Sequence, residues 1–277
     1  MSFLIEAFEP AFMQRALIGS LIAVVATSLV GTWIVLRGLS FLGDALAHGV
    51  IPGVALAVLW GFNPALGAFL SALVMSGLVT FVSNRTPVRD DTAIGLLFVG
   101  MLALGVVIVS KAGSFKTDVT AILFGDALGI TTRDIQTQII YTSIVVVLTV
   151  FLYRPFLALT FNQMKAQTLG MRPRMAQAAL LGLLSLSIVA SFQSIGTLLV
   201  FGLLVAPPAT ASLLVKRVPL IMAVSVLLGS LSVVAGLVIS FHHGTAGGAT
   251  MAGISVLLFF TVLIGHTGIT FFRKLKT

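Results

Sequence analysis

Asp44 and His48 are the two residues of this sequence whose types and spacing most directly suggest chemistry. They lie in the run RGLSFLGDALAHGVIPGVALA, residues 37–57. Asp44 is the only acidic residue inside a long apolar segment. His48 follows four residues later, one helical turn away and on the same face. A carboxylate beside an imidazole makes a compact oxygen–nitrogen pair suited to a divalent cation. The same pair can serve as a proton relay. A third, purely structural reading has Asp44 paired with Arg37 or Ser40 near a membrane interface and His48 simply buried. An acid in the membrane interior costs roughly 3 kcal/mol on insertion scales, so it ordinarily faces a cavity or a partner.

The elements that position this pair follow from composition. Of the 277 residues, 58% are hydrophobic and only 9% charged, and the mean hydropathy is +1.15. Soluble domains carry about 25% charged residues. Apolar runs of about 20 residues with polar punctuation predict an all-α polytopic membrane protein. Eight or nine spans are expected, near 11–36, 42–60, 63–83, 93–110, 137–157, 175–193, 196–215, 219–241 and 248–271. Their short connections predict one compact bundle over residues 1–277. With no cysteine, disulfides and thiolate metal sites are excluded. Glu6 and Glu9 ahead of the first apolar run, and no small-residue cleavage site after it, mark a retained helix rather than a signal peptide.

The net charge of +8 is dispersed among short loops, which argues against a nucleic-acid-binding stripe. Alternation with a cytoplasmic C-terminus puts twelve of the 16 basic residues inside and leaves Arg15, Lys111, Lys116 and Arg133 outside. The positive-inside rule therefore orients the chain, and an odd number of spans puts the N-terminus outside.

Around the pair, Ala45, Gly49, Gly53 and Ala57 place a small residue at every fourth position, a stripe that lets another helix approach closely. Asp44, His48 and Pro52 form the adjacent polar stripe. Pro207 and Pro208 interrupt the apolar run 193–214 and predict a kinked or broken helix. The inner segment 158–174 reads as a short amphipathic helix along the membrane, with Gly170 and Pro173 as its stop. The outer segment 111–136 holds an apolar patch, AILFG, and can fold back over the bundle. His242 and His243, at the outer end of a span, are candidate metal-entry residues, though side by side they chelate poorly. His266 reads as a packed histidine. No P-loop, catalytic triad or H-E-x-x-H motif occurs, so the chain is expected not to be an enzyme.

LRGLSFLGDALAHGVIPGVALA resembles the signature of the ABC-3 family, the membrane permeases of bacterial manganese, zinc and iron importers. The resemblance continues through AIGLLFVGMLALGVVIVS, ILFGDALGIT, QSIGTLLVFGLLVAPPATASLL and GLVISFHHGTAGGATMAG, and so covers nearly the whole chain. It implies a multi-pass protein of the bacterial cytoplasmic membrane working with cytoplasmic ATPase subunits, an extracellular metal-binding protein and a second permease copy, identical or closely related. The family's pore acid and histidine fall on Asp44 and His48, where two copies would present four ligands to the transported ion. That ion would be Mn²⁺ first, with Zn²⁺ or Fe²⁺ as alternatives, and no permanently bound cofactor is implied. The family's coupling helix falls on 161–172 through Phe161, Asn162, Ala166 and Gly170, with Asn162 standing where relatives usually have an acid. Gly244 also departs from the Asp of many relatives. The rival expectation is a proton-coupled secondary cation transporter with Asp44–His48 as its relay.

Overall fold

The computed structural model describes residues 6–85, 90–111, 129–161 and 172–274, almost all helical and without strands among those residues. The helices are α1 (Ala11–Leu36), α2 (Ser40–Gly49), α3 (Ile51–Leu59), α4 (Pro64–Arg85), α5 (Asp90–Lys111), α6 (Thr132–Phe151), α7 (Tyr153–Phe161), α8 (Pro173–Ile195), α9 (Thr197–Leu214), α10 (Val218–His243) and α11 (Gly247–Lys274). Eight segments among the described residues are long and apolar enough to cross a bilayer, with α2 and α3 together forming one of them. The shorter α9 supplies a further apolar helix. The spans expected from hydropathy are thus matched closely.

Helix α1 packs against α6, α8, α9 and α10. Its Trp33 is fully buried and meets Tyr153 and Phe156 of α7 edge-on, at ring-centroid distances of 5.5 and 5.7 Å. Helices α5, α6 and α11 instead turn many large apolar side chains outward. A chain that hides serines and threonines while exposing leucines, valines and phenylalanines is built for a hydrocarbon solvent. Several of its buried hydroxyls are returned to their own helix: Thr32 donates to the Ser28 carbonyl at 2.7 Å and Thr210 to the Ala206 carbonyl at 2.7 Å. Between helices, the Ser76 and Ser185 hydroxyls lie 3.3 Å apart and join α4 to α8.

Local departures from the sequence-based boundaries have identifiable causes. The fifth span starts at Thr132, not near 137, because Thr131 and Asp134 form a reciprocal capping box ahead of the apolar run. Pro173 opens α8 at its first turn, where a missing N–H costs nothing, so it starts a helix. Pro207 and Pro208 do not break α9, which remains helical through both. The proposed fold-back of 111–136 falls mostly on residues outside the described set.

At the α3–α4 turn, Gly61 takes a positive φ of 71°. It sets Trp60 and Phe62 in a stacked pair, 6.2 Å apart, with Trp60 71% exposed. An exposed aromatic pair at a span end suits the membrane–water interface. With Trp33 changed to Phe, Trp60 is the sole tryptophan of the chain. Its fluorescence is expected to be quenched more by lipids brominated near the headgroup than by lipids brominated near the terminal methyl. The reverse order would place the turn at the wrong depth.

Candidate functional site

Asp44 and His48 sit on α2, in the span formed by α2 and α3. Pro52 divides the two helices because it has no N–H for the His48 carbonyl. Val50 between them keeps helical dihedrals, φ −77° and ψ −22°, so the span continues past the interruption. The neighbouring Gly49 carbonyl accepts the Ser71 hydroxyl of α4 at 2.6 Å. A carbonyl left without a partner in hydrocarbon would cost several kcal/mol, so Ser71 stabilises the discontinuity beside His48.

The small-residue stripe faces α4, giving the close helix approach that the spacing predicts. A Cβ on Gly53 would overlap the Gly67 carbonyl, and one on Gly67 would overlap the Gly53 carbonyl. The two backbones are therefore in direct contact, with Ala57 closing the same face. Asp44 and His48 lie on the adjacent stripe, where His48 meets α5 rather than the α4 crossing. Both are half-buried, with side chains 28% and 15% exposed.

His48 Nε2 lies 3.8 Å from Asp44 Oδ1. That is too long for a hydrogen bond. It is within the reach of two metal–ligand bonds of about 2.1 Å meeting at one ion. Among the described residues the Asp44 carboxylate has no hydrogen-bond donor, so neither Ser40 nor Arg37 occupies it, and the His48 ring is its nearby polar partner. The imidazole packs edge-to-face on Phe98 of α5 at 5.1 Å and 74°, and Phe98 in turn meets Phe41 at 6.1 Å. The carboxylate and the imidazole thus stand open on an apolar backing without satisfying one another.

The other sequence-derived candidates fall elsewhere. His242 and His243 occupy the last turn of α10, where Gly244 ends the helix in the left-handed conformation at φ 63°. The His242 ring packs on Phe241 at 5.3 Å. No group of three or more His, Cys, Asp or Glu side chains converges among the described residues, so these histidines are not joined to the Asp44 pair. Phe161 ends α7 and is 70% exposed. Asn162, Ala166 and Gly170 lie outside the described residues. Ser71 and Phe98 are the site's neighbours that the sequence did not reveal. Ser71 follows Gly67 by one turn on the small face of α4 and was legible in principle, whereas Phe98 has no local signal.

The described residues thus form a polytopic helical bundle of the membrane class, with one carboxylate–imidazole pair on an interrupted span. Residues 9–266 match the ABC 3 transport family, and the chain belongs to that family. It is 33% identical over 276 residues to the manganese transport system membrane protein MntC of Listeria monocytogenes, covering 99% of this chain and 98% of the relative. It is 31% identical over 263 residues to the chelated iron transport system membrane protein YfeD of Yersinia pestis, covering 95% and 88%. The solved structure of PsaBC from Streptococcus pneumoniae in complex with Fab superposes with a TM-score of 0.85 at 30% identity over 94% of each chain.

Proposed function

We propose that the chain is the membrane-spanning subunit of an ATP-driven importer of a divalent transition metal, and that Asp44 and His48 hold the ion in transit. The observation that carries this reading is the 3.8 Å gap between His48 Nε2 and Asp44 Oδ1, with no hydrogen bond closing it. Manganese is the first assignment, zinc and iron the alternatives, since all three accept carboxylate and imidazole. The names of relatives that carry manganese or chelated iron support the class. Two ligands from one chain leave most of a coordination sphere open. A second copy across a two-fold axis would double them to two carboxylates and two imidazoles. In this reading residues 1–277 form one permease domain of the bacterial cytoplasmic membrane, with its C-terminus inside. Residues 161–172 engage the ATPase subunits, an extracellular metal-binding protein delivers the ion, and His242 and His243 stand at the entry side.

The test is metal accumulation, read by inductively coupled plasma mass spectrometry in cells stripped of other importers. Manganese is expected to accumulate only when an intact ATPase subunit is present and co-purifies with the chain. Accumulation that persists with a hydrolysis-dead ATPase and stops when the proton gradient is collapsed would overturn this in favour of proton-coupled transport.

A further inference from the structure

We propose that Phe98 is a positioning residue that orients the His48 imidazole and keeps its hold on the passing cation weak, an inference that rests on reading Asp44 and His48 as the transit site. When a neutral imidazole binds a metal through Nε2, its proton sits on Nδ1. Metal-binding histidines ordinarily donate that N–H to a carboxylate or a carbonyl, which fixes the ring and raises its basicity. His48 departs from this. Its Nδ1 is shielded from solvent and has no hydrogen-bond partner among the described residues.

What fixes the ring instead is hydrocarbon. Phe98 meets the imidazole edge-to-face at 5.1 Å and is backed by Phe41 at 6.1 Å. Helix α5 is held close enough to do this by Gly105, where an added Cβ would lie 2.9 Å from Ile51 Cγ2 and 3.4 Å from Pro52 Cδ. The α5 crossing therefore sets the height of Phe98 against His48. An aromatic edge supplies orientation without lending electron density through a hydrogen bond. The result is a histidine that is placed but not strengthened. A permeation site needs this balance, because an ion bound too tightly does not leave.

The proposal is tested by Mn²⁺ uptake against Mn²⁺ concentration, with the full chain and its partner subunits in the cell membrane. Phe98→Gln replaces the hydrocarbon ring beside the imidazole with an amide, offering the unpartnered Nδ1–H an acceptor. The half-saturating concentration is expected to fall about tenfold and the maximal rate to fall with it, the size of effect that outer-sphere partners have on metal affinity. Phe98→Leu keeps the volume apolar but frees the ring, so the half-saturating concentration is expected to rise. Opposite shifts from one position separate positioning from mere packing. Shifts in the same direction, or values within about twofold of the parent while Asp44→Ala is inactive, would overturn the role of Phe98 and leave the transit site standing. Normal uptake by Asp44→Ala would instead remove the site itself. Should Phe98→Gln fail to reach the membrane, Phe98→Leu decides alone, an unchanged half-saturation being the contrary result.

Discussion

Replacing Asp44 by alanine is expected to abolish metal uptake, by at least about 100-fold, while leaving the protein as abundant in the membrane as its parent or more so. Two effects with opposite signs make this informative. A direct anionic ligand matters at least as much as the outer-sphere partners whose loss costs 10–100-fold, which sets the lower bound. The same carboxylate is a burden on the fold, since an acid at membrane depth costs about 3 kcal/mol on insertion scales. It has no donor among the described residues and only a 3.8 Å approach to His48, so little interaction energy offsets that cost. Asp44→Ala is thus expected to raise the thermal midpoint in detergent as it silences transport. If the side chain were a structural anchor, yield and midpoint would fall together with uptake. Asp44→Asn keeps one oxygen and loses the charge, and should retain only a small part of the activity. His48→Ala removes a neutral ligand and should cost less, on the order of 10–100-fold. Normal manganese accumulation by both alanine variants would show that the ion passes elsewhere.

The contrast between what was and was not readable in the sequence follows from how far each feature reaches along the chain. The spans were legible because burying or exposing a whole segment to lipid depends on its summed hydropathy, a local quantity. The Asp44–His48 pair was legible because a four-residue spacing on a helix is itself a distance. The stripe Ala45, Gly49, Gly53 and Ala57 announced a close crossing but not its partner, which proved to be Gly67 and Ser71 of α4. Phe98 could not be inferred at all, because its contact with His48 is created by the packing of α5 on α2 and α3. For the proline pair, local chemistry predicted a kink or a break, and α9 is not broken but stays helical through both residues, which in an apolar surrounding requires that neighbours compensate for the lost donors.

One such compensation carries the second large prediction. Pro208 has no N–H to give the Leu204 carbonyl, and that carbonyl points at Gly31 of α1. A Cβ built on Gly31 would overlap the Leu204 oxygen and stand 3.2 Å from Pro208 Cγ. The bare Cα of glycine lets the freed oxygen approach the α1 backbone, where Cα–H···O contacts of this kind recur between helices. Gly31→Ala is therefore expected to destabilise the bundle by about 3 kcal/mol, the upper part of the range for overpacking. Backbone atoms obstruct the added methyl, so no rotamer change relieves it, and α1 would have to move away from α9. Because α1 also packs on α6, α8 and α10, that movement disturbs contacts beyond the crossing itself. Gly182→Ala provides the contrast, since a Cβ there meets nothing within 4 Å. It should be neutral or stabilising by up to about 1 kcal/mol through helix propensity. The measurement is the thermal midpoint of each purified variant in detergent, with membrane yield as a second reading. Equal midpoints for the two variants would show that the α1–α9 crossing does not depend on glycine. A fall confined to Gly31→Ala would tie the tolerance of Pro207 and Pro208 inside α9 to one absent methyl group on a neighbouring helix.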